Sequence, residues 1–583
     1  MNDPAEGAAK GETTSATAAP GRISGVLARR LPLLGWLQRA DAGSHRADLV
    51  AGLTVAAMLV PQSMAYAALA GMPPVTGLYA ATVPLVAYAV LGTSGQLAFG
   101  PVAIVSLLTA STLAPLAGGD PGRYIALAGL LALLVGGIQV LLGLLRAGRL
   151  TGLLSHPVIS GFTSAAAIVI ATSQLDKLLG VSIGRPDSWL ARLGAIATEL
   201  PSTHLPTLVV GGLAIAMLVV GRRLHPRFPT ALVVVVLATA AVPLLGLEAR
   251  GVAVLGQVPG GLPRPSLPSA PLDTIVALLP GAVIIALLSY LEGISVARAV
   301  AARTRDRIDP DQELLASGAA NLAAGVFQAF PVAGGFSRTA VNHAAGARTP
   351  LATLVTAATV LLALLVMAPL FTTLPEVVLA AVVVTAVAKL VDVREARHAW
   401  QVERTDGIAL TVTFLATLLL GVELGIGLGI AVSLLLSLWR VGVPRIEVER
   451  SQDGVVFHVE GDLLPASSTR LLEVLEDHLD APGGCGDHLD APGGCGDHLV
   501  LDLSGVPSAD VSGINAIAAL DVACQAAEVE LHLAGMREGV RAPLERAHLA
   551  ERFAARSHLD VAAALTAIGH HRPPTGALSA RAG

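Results

Sequence analysis

Charge is what this chain of 583 residues has little of: Lys, Arg, Asp and Glu make up 14% of it, about half the share of a soluble domain. The scarcity is uneven, because residues 49–119 contain none of the four. As a helix rising 1.5 Å per residue, that run would be about 106 Å long, enough for roughly three crossings of a 30 Å hydrocarbon core. A soluble enzyme is therefore excluded as a reading of the whole chain. Cysteine is equally scarce, with three residues, which excludes a disulfide framework. A basic excess is missing too: the formal net charge is -5, and a nucleic-acid surface needs concentrated Lys and Arg.

What is there is apolar, at 53% of residues. Residues 1–30 form the exception at the amino end, rich in Ala, Gly, Ser and Thr and carrying Lys10, Arg22, Arg29 and Arg30. They read as a disordered cytoplasmic tail and not as a signal peptide, since no apolar stretch of sufficient length precedes Leu31. Beyond it, nearly uncharged stretches recur up to Trp439. At about 20 residues per span, split at Pro and Gly, they give roughly 12 to 14 membrane segments. With a cytoplasmic tail and 14 segments, the even-numbered ones are expected to end in basic residues, and several do: Arg146 and Arg149 follow the fourth, Arg222, Arg223 and Arg227 the sixth, Arg298 and Arg303 the eighth. Lys389, Arg394 and Arg397 follow the twelfth, and Arg440 and Arg445 the last. This bias sets both termini in the cytoplasm.

From Pro444 the composition becomes that of a soluble domain. Strand-like residues 455–464, 499–506 and 529–533 alternate with helix-like residues 468–479 and 511–527, which predicts a small α/β domain ending near Ala562, with a frayed tail after it. Within it the decamer DHLDAPGGCG occupies residues 477–486 and recurs at 487–496. Its His478, Cys485, His488 and Cys495 are of zinc-ligand type. An identical Pro- and Gly-rich repeat reads better as a duplicated surface loop, because loop closure entropy grows slowly with length.

Few residues in the membrane region carry chemistry. Glu292 stands near the middle of the eighth segment, where carboxylates mark ion or proton pathways or serve as partners for an Arg. Arg338 follows Pro331, Gly334 and Gly335, which interrupt the tenth segment; the alternative is an arginine at the cytoplasmic edge. A matching break, Gly100-Pro101, precedes Val102 and Ala103 in the third. Interrupted segments at corresponding places in two halves point to a transporter's central site. Helix amino ends offer free amides and a positive dipole, so two of them facing each other would bind an anion. Gly421, Gly425 and Gly429 form a small-xxx-small stripe suited to close packing within one protomer.

Several long motifs resemble the SulP family of anion transporters, which includes the sulfate permeases and animal prestin. They are LVPQSMAYAALAGMPPVTGLYAATVPLVAYAVLGTS at 59–94, GPVAIVSLL at 100–108, YLEGISVARAVAARTRDRIDPDQEL at 290–314 and GFSRTAVNHAAGARTPL at 335–351. DLSGVPSADVSGINAI at 502–517 is similar to the core of a STAS domain, the carboxy-terminal module of that family. The resemblance implies an α-helical polytopic membrane protein of 14 segments in a seven-plus-seven inverted repeat of the uracil-permease type, followed by a cytoplasmic α/β STAS domain. The implied division is a tail at 1–30, a transport domain at 31–443 with core segments 1–4 and 8–11 and gate segments 5–7 and 12–14, the STAS domain at 444–562, and a second disordered tail at 563–583. The membrane part is expected to be a homodimer in contact with membrane lipid.

Carried over onto matching positions, Gln62 and Tyr66 line the anion pocket, Val102, Ala103, Phe336 and Ser337 offer backbone amides, Arg338 stands beside the anion, and Glu292 couples a cation. The sequence departs from the family where Thr76 replaces a usual Tyr, where Gly95 replaces a basic residue, and where Val511 follows Asp510 in place of a phosphorylatable Ser. The expected activity is secondary active transport of a small anion of the sulfate, bicarbonate or dicarboxylate class through an elevator-like motion, with no enzymatic reaction, cofactor or metal. Uptake against a negative-inside potential needs a co-transported cation, at about 2.3 kcal/mol per charge per 100 mV; a proton is the first choice and a sodium ion the second. An anion exchanger or uncoupled channel shares every motif, as would a sodium-coupled bicarbonate symporter. Outside the class stand a nucleobase permease, against which the STAS-like tail and Arg338 speak, and a non-transporting sensor, which would need none of the midplane residues.

Overall fold

The computed structural model describes residues 31–148, 156–184, 186, 188–224, 229–256, 261, 264–442, 444–451, 454–480 and 498–571. The amino-terminal tail and the duplicated decamer, apart from its first four residues, lie outside this set. The chain forms two compact units, residues 1–431 and 432–583.

The first unit is helical. Its elements are α1 (Pro32–Arg39), α2 (Ala42–Leu69), α3 (Pro74–Ala80), α4 (Val83–Leu91), β1 (Phe99–Gly100), α5 (Ala103–Ala117), α6 (Pro121–Leu144), α7 (His156–Ser173), α8 (Leu175–Leu179), α9 (Trp189–Glu199), α10 (Leu205–Leu224) and α11 (Thr230–Leu245). The series continues with α12 (Leu272–Thr304), α13 (Pro310–Val326), β2 (Ala333–Gly334), α14 (Phe336–Ala344), α15 (Leu351–Met367), α16 (Glu376–Val387), α17 (Val393–Val402), α18 (Arg404–Leu419) and α19 (Val422–Gly442). Local chemistry sets the starts. Asp41 and Ser44 form a capping box at α2, and Asp120 and Asp309 cap α6 and α13 ahead of a proline in the first turn. Among the described residues six helical spans are long and apolar enough to cross a membrane, and shorter apolar helices accompany them.

The packing has the signature of a two-fold repeat. Helix α2 lies on α15, and its counterpart α12 lies on α6, the counterpart of α15; α4 against α13 and β1 against β2 map onto themselves. A second set behaves the same way, with α7 on α18 and α16 on α10. In lipid no hydrophobic effect drives helices together, so small residues that let backbones meet take its place. At the α6/α13 interface a Cβ on Gly136 would sit 2.7 Å from the Gly318 carbonyl, and one on Gly325 2.6 Å from that of Gly129. The glycine stripe of α19 serves the same end: Gly425 abuts Thr417 and Gly429 abuts Thr413, both on α18 of the same chain.

The second unit holds a five-stranded sheet in the order β3 (Arg445–Ser451), β4 (Gly454–Glu460), β5 (His498–Gly505), β6 (Glu530–Ala534) and β7 (Ser557–His558). The β3–β4 pair is antiparallel and the others are parallel. Parallel strands need crossovers, supplied by α20 (Pro465–Asp480), α21 (Val511–Ala526) and the helices α22 (Glu538–Arg546) and α23 (Ala550–Phe553). Leu499, Leu501 and Leu503 point from β5 into the core shared with Leu471, Ile517 and Leu520. Val500, between them, points to the other face, where it meets Ala564 and Ile568 of α24 (Val561–His571). That helix corrects the expectation of a frayed tail after residue 562: it covers a sheet face that would otherwise expose Val456, Val500 and Ala534. The sequence reading also missed β3 and β7, one an edge strand rich in charge and the other two residues long.

Candidate anion-binding site

The site is built around the smaller of the two sheets found among the described residues. Strands β1 and β2 pair antiparallel, with Phe99 opposite Gly334 and Gly100 opposite Ala333. Each leads at once into a helix: Val102 is the amino cap of α5 and Gly335 that of α14, both extended in backbone and neither capped by a side chain. The pairing therefore brings two helix starts together, one from each half. The first amides of each have no partner within their own helix, and each helix end carries about half a positive charge.

Side chains hold this crossing from several directions. Phe99 stacks on Tyr88 with ring centroids 4.6 Å apart, and the Tyr88 hydroxyl donates to Glu313 Oε2 at 2.8 Å. The Gly335 amide donates to the Ala98 carbonyl at 3.0 Å, and the Ala98 amide to Thr339 Oγ1 at 3.0 Å. Asn342 Nδ2 donates to the Gln96 carbonyl at 2.8 Å. Behind β2, Asn321 accepts the Val332 amide at 2.8 Å and donates to Gln139 at 2.9 Å. Two glycines are required by geometry. Gly100 has φ +138°, and a Cβ on Gly334 would lie 2.8 Å from Gly293 Cα. That contact seats β2 against α12 one residue from Glu292.

Arg338 lies in the first turn of α14, 3% exposed, and its Nη1 donates to the Pro101 carbonyl at 2.7 Å. Its Nε and Nη2 are buried without a hydrogen-bond partner among the described residues, as is Glu292 Oε2. A buried charged group left unsatisfied is expensive, upwards of about 1–3 kcal/mol per group, which marks a place prepared for a further partner. Tyr66, buried on α2, feels the charges of both Arg338 and Glu292. Gln62, one turn earlier on the same helix, is 3% exposed. Val102 and Ala103 are buried, whereas Phe336, at 61%, and Ser337 are exposed. The structure thus gathers Tyr66, Glu292, Arg338 and the two helix starts into one neighbourhood, and Phe336 and Ser337 belong to it through their backbones. The positions that sequence reasoning missed are the scaffold: Gln96, Thr339, Asn342, Gly293 and the Gln139–Asn321 pair. Apart from Gly293, their only signal was polarity within apolar runs.

Two family models match the chain. The Sulfate permease family covers residues 46–413 and the STAS domain residues 445–564. A probable sulfate transporter of Mycobacterium tuberculosis (strain CDC 1551 / Oshkosh) is 39% identical over 403 residues, 69% of this chain and 72% of the relative. The sodium-independent sulfate anion transporter of Bos taurus is 35% identical over 473 residues, 75% of this chain and 77% of its own. Among solved structures, SLC26A9 superposes with a TM-score of 0.84 at 24% identity, covering 94% of this chain and 93% of that one. The transmembrane domain of the cyanobacterial bicarbonate transporter BicA gives 0.59 at 23% identity, over 68% of this chain and 98% of its own. The chain belongs to the sulfate permease family, as a multi-pass membrane protein with a carboxy-terminal STAS domain.

Proposed function

We propose that this chain is a secondary transporter of a small anion, sulfate first among the candidates, with Glu292 carrying a co-transported proton. The observation that carries the reading is the crossing of β1 and β2, which sets the starts of α5 and α14 beside each other with a buried, partly unpartnered guanidinium between them. Two helix ends contribute roughly one positive charge together, and Arg338 a second. An oxyanion accepts from amides of Ala103 and Phe336 or their first-turn neighbours and from Arg338 Nη2, while Gln62 and Tyr66 close the pocket from α2. Relatives named as sulfate transporters support sulfate; the solved bicarbonate transporter keeps bicarbonate as the second candidate.

Glu292 sets the coupling. Ionised, it cancels about half of the positive field that the anion meets; protonated, it leaves that field intact. A proton on Glu292 and an anion beside Arg338 therefore strengthen each other's binding by the same factor, as linkage requires. Sodium at the same carboxylate is the alternative, distinguished by which gradient drives uptake. In this reading the set containing α2, α4, α6, α12, α13 and α15, with the crossing at its centre, is the core that moves against the set containing α7, α10, α16 and α18. The protein acts in the plasma membrane with both termini cytoplasmic, as a homodimer. The test is uptake into proteoliposomes of labelled sulfate, bicarbonate, chloride and a dicarboxylate under imposed proton or sodium gradients. Accumulation of one anion driven by an inward proton gradient supports the reading, and accumulation of none of them under either gradient refutes it.

A further inference from the structure

On the sheet face of the second unit that α24 covers in part, three imidazoles form a ladder across adjacent strands. Parallel pairing sets His498 opposite Glu530 and Val500 opposite His532, and alternation along each strand turns His498, Glu530 and His532 to one face. His498 Nδ1 lies 3.2 Å from His532 Nε2, 3.6 Å from Glu530 Oε2, and His532 Nε2 lies 3.8 Å from that same oxygen. An ion bonded at about 2.0–2.1 Å to tetrahedral ligands holds those ligands about 3.4 Å apart. The three observed separations bracket this edge, so the atoms form one face of a tetrahedron before any ion enters. The transport reading uses none of these residues.

We propose that His498 Nδ1, His532 Nε2 and Glu530 Oε2 form a binding site for a first-row transition-metal ion of the zinc class. Two imidazoles and a carboxylate suit zinc, copper or nickel and not magnesium or calcium, which require all-oxygen shells. The surroundings supply the outer support that such sites need. His532 Nδ1 faces His558 Nε2 at 3.1 Å; with the proton on Nδ1, His532 donates to His558 and keeps Nε2 free for the ion. Arg556 Nε stands 3.9 Å from the other oxygen of Glu530, leaving Oε2 to the site, and the remainder of its charge is engaged by Asp521. His532 is 8% exposed, His498 21% and Glu530 48%, so the ion enters from the Glu530 side, where a water takes the fourth position. Bound there, it pins β5 to β6 at the start of their pairing.

The test is titration of the tag-free, full-length protein in detergent with Zn2+, read by competition against a chromophoric chelator, and with Co2+, read by visible absorption. The expected result is one ion per chain, a tetrahedral Co2+ spectrum, a raised Tm with Zn2+ and no response to Mg2+. His498→Asn and His532→Asn each weaken Zn2+ binding at least tenfold. Glu530→Gln, at a half-exposed position that leaves the fold intact, weakens it several-fold, and His558→Asn about tenfold through lost support. No saturable binding below about 100 µM Zn2+ overturns the proposal. So does binding that survives all four substitutions but disappears in Cys485→Ser/Cys495→Ser, because the ion then belongs to the duplicated decamer.

Discussion

Arg338 Nη1 donates to the Pro101 carbonyl at 2.7 Å, so a buried guanidinium from the second half is tied to the backbone just ahead of the broken helix of the first. The tether fixes where the remaining two nitrogens point, and it makes each half incomplete without the other.

Replacing Arg338 with Gln removes the charge and the tether together. Loss of a charge-assisted contact to an anion is worth about 2–3 kcal/mol, which is roughly 30- to 150-fold in half-saturating anion concentration. Lys keeps the charge without the planar fork and falls between wild type and Gln. Initial rates of labelled sulfate uptake against sulfate concentration measure both, and an unchanged half-saturation in the Gln variant would remove Arg338 from the site.

Glu292→Gln mimics the protonated carboxyl permanently. Downhill anion flux persists, while accumulation driven by an inward proton gradient falls to the background of empty liposomes and the pH dependence of flux flattens. Gradient-driven accumulation at the wild-type level in this variant would be incompatible with Glu292 as the coupling group.

Gly334→Ala forces a methyl to within 2.8 Å of Gly293 Cα, a backbone atom that has nowhere to go. Destabilisation of about 1–3 kcal/mol follows, with transport lost in step as the crossing is pushed off α12. Gly212→Ala, on α10 with no atom of the described residues within 4 Å of the added Cβ, is the control, expected within about 1 kcal/mol of wild type on the stabilising side. Thermal unfolding in detergent, followed by monodispersity, separates the two.

In the second unit, burial opposes the charge on His458, but its hydrogen bonds to Asp502 and Glu449 prevail and raise its pKa. Burial likewise opposes the charge on Asp502, but hydrogen bonds from Ser504 and His458 outweigh it and hold its pKa below the usual carboxylate value. A raised histidine stabilises fully below its unfolded value of about 6.5 and loses that contribution as pH rises through its folded value; a depressed aspartate contributes above about 3.9 and loses it as pH falls through its folded value. His458→Asn is therefore most destabilising between about pH 4 and 6.5, by no more than about 1 kcal/mol because the pair is partly solvated, and its cost shrinks as pH rises through the raised folded value. Tm profiles of the full chain from pH 4 to 9 give the answer; a constant difference across that range would contradict the assignment.

The membrane segments were legible because an absence of charge over tens of residues has one physical meaning, and the breaks at Gly100-Pro101 and Gly334-Gly335 announced themselves through residues a helix does not favour. Glu292 and Arg338 stood out because ionisable groups are rare among apolar neighbours. The crossing itself was not legible in detail. Strands of two residues have no periodicity, and Phe99 meets Gly334 only because the fold brings distant segments together. The supporting bonds from Thr339, Asn342 and Asn321 had no pattern to betray them, since Ser, Thr and Asn in membrane helices equally satisfy their own backbone. The same holds for the histidine ladder, whose members are neighbours through parallel strand register alone.

The proposed transport cycle requires an anion between the starts of α5 and α14 beside Arg338. A structure determined with selenate, located by its anomalous scattering, tests it directly. One peak within hydrogen-bonding distance of the first-turn amides of both helices and of Arg338 is the predicted result. Selenate bound elsewhere in the membrane domain, with nothing between the two helix starts, would contradict it.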